Sequence, residues 1–188
     1  ETDSQQRAIY SIAYRFNGIA AGAENGRFGY FVTFNIAYIR DLVLEFSTLG
    51  ESFETSVSWP KVLDLCKKVE EYFDGAQARH NLAFPMFFSF RITQIYEQGA
   101  CVYFYFGFNK RGLEDPLKIY HKIAEESREI VIANGGSISH HHGIGKIRKK
   151  WFPAHVGEIG LGVLRAVKKE LDPNNVFACG NLYNVSKL

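Results

Sequence analysis

Two stretches near the middle of the chain, FPMFFSFRITQIYE (84–97) and ACVYFYFGF (100–108), constrain the fold more than any other feature. Both are dense in aromatic and β-branched side chains, and only Gln98-Gly99 separates them from one continuous run. That pattern predicts an antiparallel hairpin. A lone hairpin is marginal in water, so something must cover its apolar side. The rest of the chain supplies candidates. Residues 4–20 place Ile9, Ile12, Ala13 and Phe16 at helical spacing, with Gly22 and the AENG stretch expected to stop the helix. Residues 30–46, YFVTFNIAYIRDLVLEF, are apolar nearly all round and predict a buried helix. LGESFETSVSW (49–59) alternates like a strand. Ser58 and Pro60 open an amphipathic helix carrying Leu63, Leu65, Val69 and Tyr72, expected to end near Gly75. Asp115-Pro116 opens another, stopped at Asn134-Gly135-Gly136, and a last helix runs from Trp151 to Leu171 and closes on DPNN. The order predicts an α+β fold: an antiparallel sheet covered by helices, followed by a C-terminal helical segment.

Several function classes drop out early. A chain of 188 residues can bury a core, and its net charge of +2 is too balanced for a nucleic-acid surface. No apolar run reaches the ~18 residues of a membrane span. Cys66, Cys101 and Cys179 are far apart and odd in number, which argues against a disulfide scaffold and a zinc ribbon. Nothing matches GxGxxG or a phosphate-binding loop, so any nucleotide cofactor is expected to be held mainly by residues upstream of Glu1. That the first residue is Glu rather than Met fits the expectation of a missing upstream part. The final Ser186-Lys187-Leu188 has the form of a peroxisomal address read by an import receptor.

The chemistry concentrates in GGSISHHHGIGKIRKKW (135–151), where three consecutive histidines stand between glycines. On an extended segment neighbouring side chains alternate, so only His140 and His142 are expected to share a metal, and no HxxxH or HExxH partner exists. No metal site is therefore expected. A solvated polar loop is the plain alternative. Against it, Gly143 and Gly145 let the backbone approach a ligand closely, and imidazoles move protons near neutral pH. The spacing favours a catalytic or ligand-facing loop without naming its reaction.

That loop, with GYFVTFNIAYIRD, LGESFETS, GACVYFYFGFN and LDPNNVF, resembles the alkyldihydroxyacetonephosphate synthases, flavoproteins of the vanillyl-alcohol-oxidase type. The likeness runs from Ile9 to Tyr183. It implies a cap (substrate) domain over 1–136, and a histidine loop and C-terminal segment over 137–188 packing toward an FAD domain outside this chain. The flavin-dependent 2-hydroxyacid dehydrogenases share a loop written GGxxxxEHGxG; His142, Gly143 and Gly145 match it, but His141 stands where they carry Glu.

The resemblance implies exchange of the acyl group of acyl-dihydroxyacetone phosphate for a long-chain fatty alcohol, forming the ether bond of ether lipids. FAD serves as an electrophilic, covalent partner with no net oxidation. It also implies a homodimer and a peroxisomal location. By match to the family, Arg40 binds the substrate phosphate, as a guanidinium suits. The same match implies that Tyr103, and with it His140, His141 and His142, are catalytic, since a proton must leave the carbon beside the ketone and return. Cys179, Gly180, Asn181, Leu182 and Tyr183 match a stretch needed for activity, although Gly180 stands where the family has a basic residue. The run Lys146, Arg148, Lys149, Lys150 reads as a solvated face that could help the protein dock on anionic lipid. The competing readings are a 2-hydroxyacid dehydrogenase or oxidase, and a non-catalytic cap fragment. The isolated chain is expected to be inactive.

Overall fold

The computed structural model describes residues 1–183, without the side chain of Ala37; Ser186-Lys187-Leu188 fall outside the described residues. The chain divides into two compact units, Glu1–Phe46 and Ser47–Leu188.

The first unit holds helices α1 (Thr2–Arg15) and α2 (Gly22–Glu45). The stop between them is not where the sequence reading puts it. Asn17 adopts a left-handed conformation (φ 61°), and the N–H of Gly18 returns to the Ala13 carbonyl at 2.8 Å. This closes α1, while the AENG stretch forms the first turn of α2. The expectation of a buried helix over 30–46 also needs correcting. Every described side chain of α2 is exposed, including Phe28, Phe31, Phe34, Ile36 and Leu42. A unit of two helices has too little volume to enclose a helix that is apolar all round.

The second unit is built on a three-stranded antiparallel sheet: β1 (Thr48–Ser58), β2 (Phe87–Ile95) and β3 (Gly99–Asn109), in the order β1-β3-β2. The hairpin β2–β3 is the one the sequence predicts. β3 lies at its centre, hydrogen-bonded on both sides, and reads as a nearly continuous buried run. Helices α3 (Val62–Arg79) and α4 (Pro116–Ala133) cover one face. A 3-10 turn over Trp59–Lys61 precedes α3, which runs through Gly75, the expected stop, to Arg79. Asp115 caps α4 by accepting from the Lys118 N–H at 3.0 Å.

The covered face is an aromatic stack. Phe53 lies 5.1 Å from Phe104, Phe73 lies 4.4 Å from Phe88 and 5.3 Å from Phe106, and Leu65, Val69 and Ile123 seal it. A β-bulge in β2 slips the register between Ile92 and Gln94, so that Thr93 faces no register partner in β3. After α4, the chain turns at Gly135 (φ 83°), and the Ser137 N–H donates to the Ser56 carbonyl at 2.9 Å, which lays the following loop along the β1 edge. Helix α5 (Phe152–Leu171), kinked at Gly157, forms a second small core with Ile138, Phe152, Leu161 and Tyr183.

Candidate active site

Strand alternation sorts the sheet into two faces. Opposite the aromatic stack, Glu54 on β1, Tyr103 on β3 and Arg91 on β2 stand in one cross-strand row. Tyr105 lies beside Tyr103, their rings stacked 5.1 Å apart, and the Arg91 guanidinium sits 5.4 Å from the Tyr105 ring and 5.9 Å from that of Tyr103. Burial raises the Tyr105 phenol above its ordinary value, with Arg91 pulling it back.

The histidine loop is hung on Glu54. The carboxylate is fully buried, and it accepts the backbone N–H groups of His140 (2.5 Å), His142 (2.9 Å) and His141 (3.2 Å), with the Ser139 hydroxyl at 2.8 Å. Burial by itself would raise this carboxyl; the four donors outweigh it and hold Glu54 below the usual carboxylate range. A buried charge is tolerated because its partners are fixed dipoles, and the same bonds fix the direction of three consecutive residues.

From that anchor the imidazoles diverge. His142 turns its Nε2 to the Tyr103 hydroxyl, 2.6 Å away, and its Nδ1 lies 3.6 Å from Glu54. His140 and His141 turn their Nδ1 atoms to each other at 2.9 Å, and the Nε2 of His140 meets the Tyr96 hydroxyl at 3.0 Å. Burial pulls His142 below the ordinary histidine value, with Glu54 opposing and His141 and Arg148 reinforcing, so its imidazole is neutral and able to accept a proton at neutral pH. Arg148 is buried and braces the loop from below, donating to the Gly143 carbonyl at 2.8 Å. The C-terminal stretch joins the same assembly: the Leu182 N–H donates to the Gly145 carbonyl at 3.0 Å, and the buried Tyr183 donates its hydroxyl to Leu164 at 3.0 Å.

A neutral imidazole hydrogen-bonded to a phenol on this face of the sheet is a pair between which a proton can pass. Comparison with known proteins gives it a family. The profile of the C-terminal domains of FAD-linked oxidases matches residues 11–182. The chain belongs to this family. Among curated proteins, the domain is 49% identical over 185 residues to the alkyldihydroxyacetonephosphate synthase of Caenorhabditis elegans, covering 98% of this chain and 31% of that protein. It is 26% identical to the synthase of Trypanosoma brucei brucei, over 97% of this chain and 29% of that one. The domain thus spans about a third of the length of these relatives. A solved structure of an alkyldihydroxyacetonephosphate synthase shares its fold, with a TM-score of 0.57 at 20% identity over 94% of this chain and 28% of the other.

Of the residues singled out in the sequence, the FAD-linked-oxidase domain brings Tyr103, His140, His141 and His142 together, with Leu182 bonded to their loop. Cys179 is exposed and Gly180 has a left-handed backbone (φ 78°); the Asn181 N–H bonds the Ala178 carbonyl. Arg40 lies in the other unit, on α2, exposed and 3.7 Å from Asp41. The basic run is not one solvated face. Arg148 is buried, and Lys150 pairs with Glu125 and, at 2.7 Å, Glu129. Sequence reasoning missed Glu54, Ser139 and Tyr96. Its one available signal for Glu54 was parity with Ser52 and Ser56 along β1.

The structure also corrects the rule applied to the adjacent histidines. On this turning loop His140 and His141 face each other. Their ring nitrogens, with Glu54 and the Cys101 thiol, lie within 4.8 Å of one another, a set that could hold a metal ion. Here the assembly is already hydrogen-bonded: Glu54 accepts four donors, and burial raises the Cys101 thiol, which disfavours the thiolate a metal requires. For a flavin, the donor set suits better. A phenol, imidazoles and a guanidinium share the uncovered face, the groups that hydrogen-bond ring nitrogens and carbonyls of an isoalloxazine.

Proposed function

We propose that this domain supplies the proton-handling face of an FAD-dependent transferase that exchanges the acyl group of acyl-dihydroxyacetone phosphate for a long-chain fatty alcohol. The observation carrying this reading is the Tyr103–His142 hydrogen bond of 2.6 Å beneath a loop held by Glu54. The names of the relatives agree with it. Tyr103, His141 and His142 would hold the flavin, which would supply an electrophilic centre with no net electron transfer.

This chain's residues do the rest. The substrate carbon beside the ketone must lose a proton and later regain it. Tyr103 takes it through its hydroxyl, passing its own proton to the neutral Nε2 of His142, and the reverse transfer returns it. Glu54 stabilises the imidazolium so formed and keeps the ring aimed. Arg40 is assigned the substrate phosphate on its match to the family; in this role its guanidinium exchanges Asp41 for the dianion. Cys179, Gly180, Asn181, Leu182 and Tyr183 steady the loop from its far side. The same reading includes FAD bound mainly upstream, residues 137–188 packing toward that domain, a homodimer, and import into the peroxisome by a receptor for Ser186-Lys187-Leu188. The basic run lends little to a membrane-docking role, since Arg148 and Lys150 are engaged within the fold.

The test uses the full-length protein, given acyl-dihydroxyacetone phosphate and labelled fatty alcohol without oxygen or another electron acceptor. Label in an ether product, abolished by Tyr103→Phe, is expected. Absence of exchange, with bleaching of the flavin by a 2-hydroxyacid, would overturn the transferase in favour of a dehydrogenase.

A further inference from the structure

We propose that Tyr96, His140 and His141 form a second proton path, separate from the Tyr103–His142 pair, that carries the hydroxyl proton of the incoming alcohol out of the site. The inference rests on the transferase reading and deepens it.

The stoichiometry asks for two different proton tasks. The proton on the substrate carbon leaves and returns to the same carbon. The alcohol proton does not return: the O–H bond breaks as the oxygen bonds to carbon, the carboxylate departs with the electrons of its C–O bond, and one proton is released per turnover at neutral pH. While the Tyr103–His142 pair holds the first proton, in exchange with water, it cannot also take up the second.

The geometry divides accordingly. His142 faces Tyr103. His140 and His141 face each other through their Nδ1 atoms at 2.9 Å, which leaves the Nε2 of His141 for the alcohol, and the Nε2 of His140 reaches the Tyr96 hydroxyl at 3.0 Å. Tyr96 is built into place in the turn between β2 and β3. Its N–H donates to the Gly99 carbonyl at 2.8 Å, and its own carbonyl accepts the indole N–H of Trp59 at 2.9 Å. It lines a groove of about 540 Å³ with Ser56, Ser58, Gln98, Ser137 and His155. The transfer balances. His141 gains a proton on Nε2 and gives its Nδ1 proton to Nδ1 of His140. His140 gives its Nε2 proton to the Tyr96 oxygen, and Tyr96 releases its hydroxyl proton to water in the groove. Tyr96 acts through His140 and does not touch the reacting atoms.

The experiment separates the two tasks in the full-length flavoenzyme. Exchange of the hydrogen on the substrate carbon with deuterated water, without alcohol, reads the first; ether formation reads the second. Tyr96→Phe is expected to leave hydrogen exchange within about twofold of wild type. It should slow ether formation roughly tenfold or more, with a larger solvent isotope effect and little change in KM. In 15N-histidine spectra the ring signals of His140 should move and those of His142 should not. Equal slowing of both reactions, or of neither, would overturn the second path, as would His140 signals that stay put. A wild-type enzyme that exchanges the hydrogen but makes no ether would instead sink the transferase reading itself.

Discussion

Tyr103 and Phe104 are neighbours in the same strand, made of nearly the same atoms, and they work on opposite sides of one sheet. Phe104 is wholly buried among Phe53, Phe88 and Phe90. Tyr103 stands between Glu54 and Arg91, its hydroxyl on His142. The covered face holds shape through apolar contact, which is non-directional and summed over many atoms. The open face holds shape through a few directed bonds to one buried charge. Stability should therefore be concentrated on one face and chemistry on the other, with Glu54 serving both.

Four substitutions in the full-length protein test that division, ranked by what they should cost the fold. Phe104→Ala should destabilise by about 3–5 kcal/mol, read from denaturant midpoints, because the stack cannot close around the void. Glu54→Gln should cost about 1–3 kcal/mol, since an amide presents its own donors to backbone N–H groups that need an acceptor. If that loss reaches the transition state, kcat falls roughly 10–100-fold. Tyr103→Phe should cost under about 1 kcal/mol while abolishing turnover. An unfolding penalty as large as that of Phe104→Ala would show that the two faces are not separate. Arg91→Gln should leave stability unchanged and raise the Tyr105 phenol further, read as a later rise of tyrosinate absorbance with pH, because the cation that lowers it is gone.

Acid sharpens the same contrast. The folded pKa of Glu54 lies below its ordinary value of 4.5, so its contribution is complete above that pH and is lost as pH falls through the folded value. The folded pKa of His142 lies below 6.5, so protonation of the unfolded chain begins to erode stability as pH drops under that value. Glu54→Gln should abolish the first loss. It should also move the acidic limb of the kcat profile to lower pH, because Glu54 raises His142, and Glu51, His141, Arg148 and Tyr103 remain around it. His80, buried at the C-terminal end of α3 and lowered by that burial, titrates alike in both proteins and cancels in the difference.

The sheet and its helices were legible because their signals are local: aromatic runs, Asp115-Pro116, Asn134-Gly135. What failed in the first unit failed for a physical reason. An apolar helix reads as buried whatever it is to be buried against, and for α2 its own unit offers no cover. The site was legible only by halves. Consecutive histidines are conspicuous, and resemblance pointed to Tyr103. Yet Glu54 in an alternating strand looks like any surface carboxylate, since the register pairing it with Tyr103, and the loop returning over it from residues 139–142, are contacts across more than 40 residues of chain. Tyr96 was hidden likewise, as an aromatic at a strand end.

The bulge at Thr93 has an evolutionary corollary. In β3 the odd positions 101, 103 and 105 face the site and the even positions 102, 104 and 106 face the stack, and partners on both edges read that order. A one-residue insertion or deletion there would put phenylalanines in the site and tyrosines in the core. In β2 the extra residue is already absorbed at Thr93, between the row of Arg91 and the turn that carries Tyr96. Length variation among relatives should collect at that point and spare residues 99–108, so that a ten-residue window without gaps becomes the signature by which distant members of the lineage can be aligned.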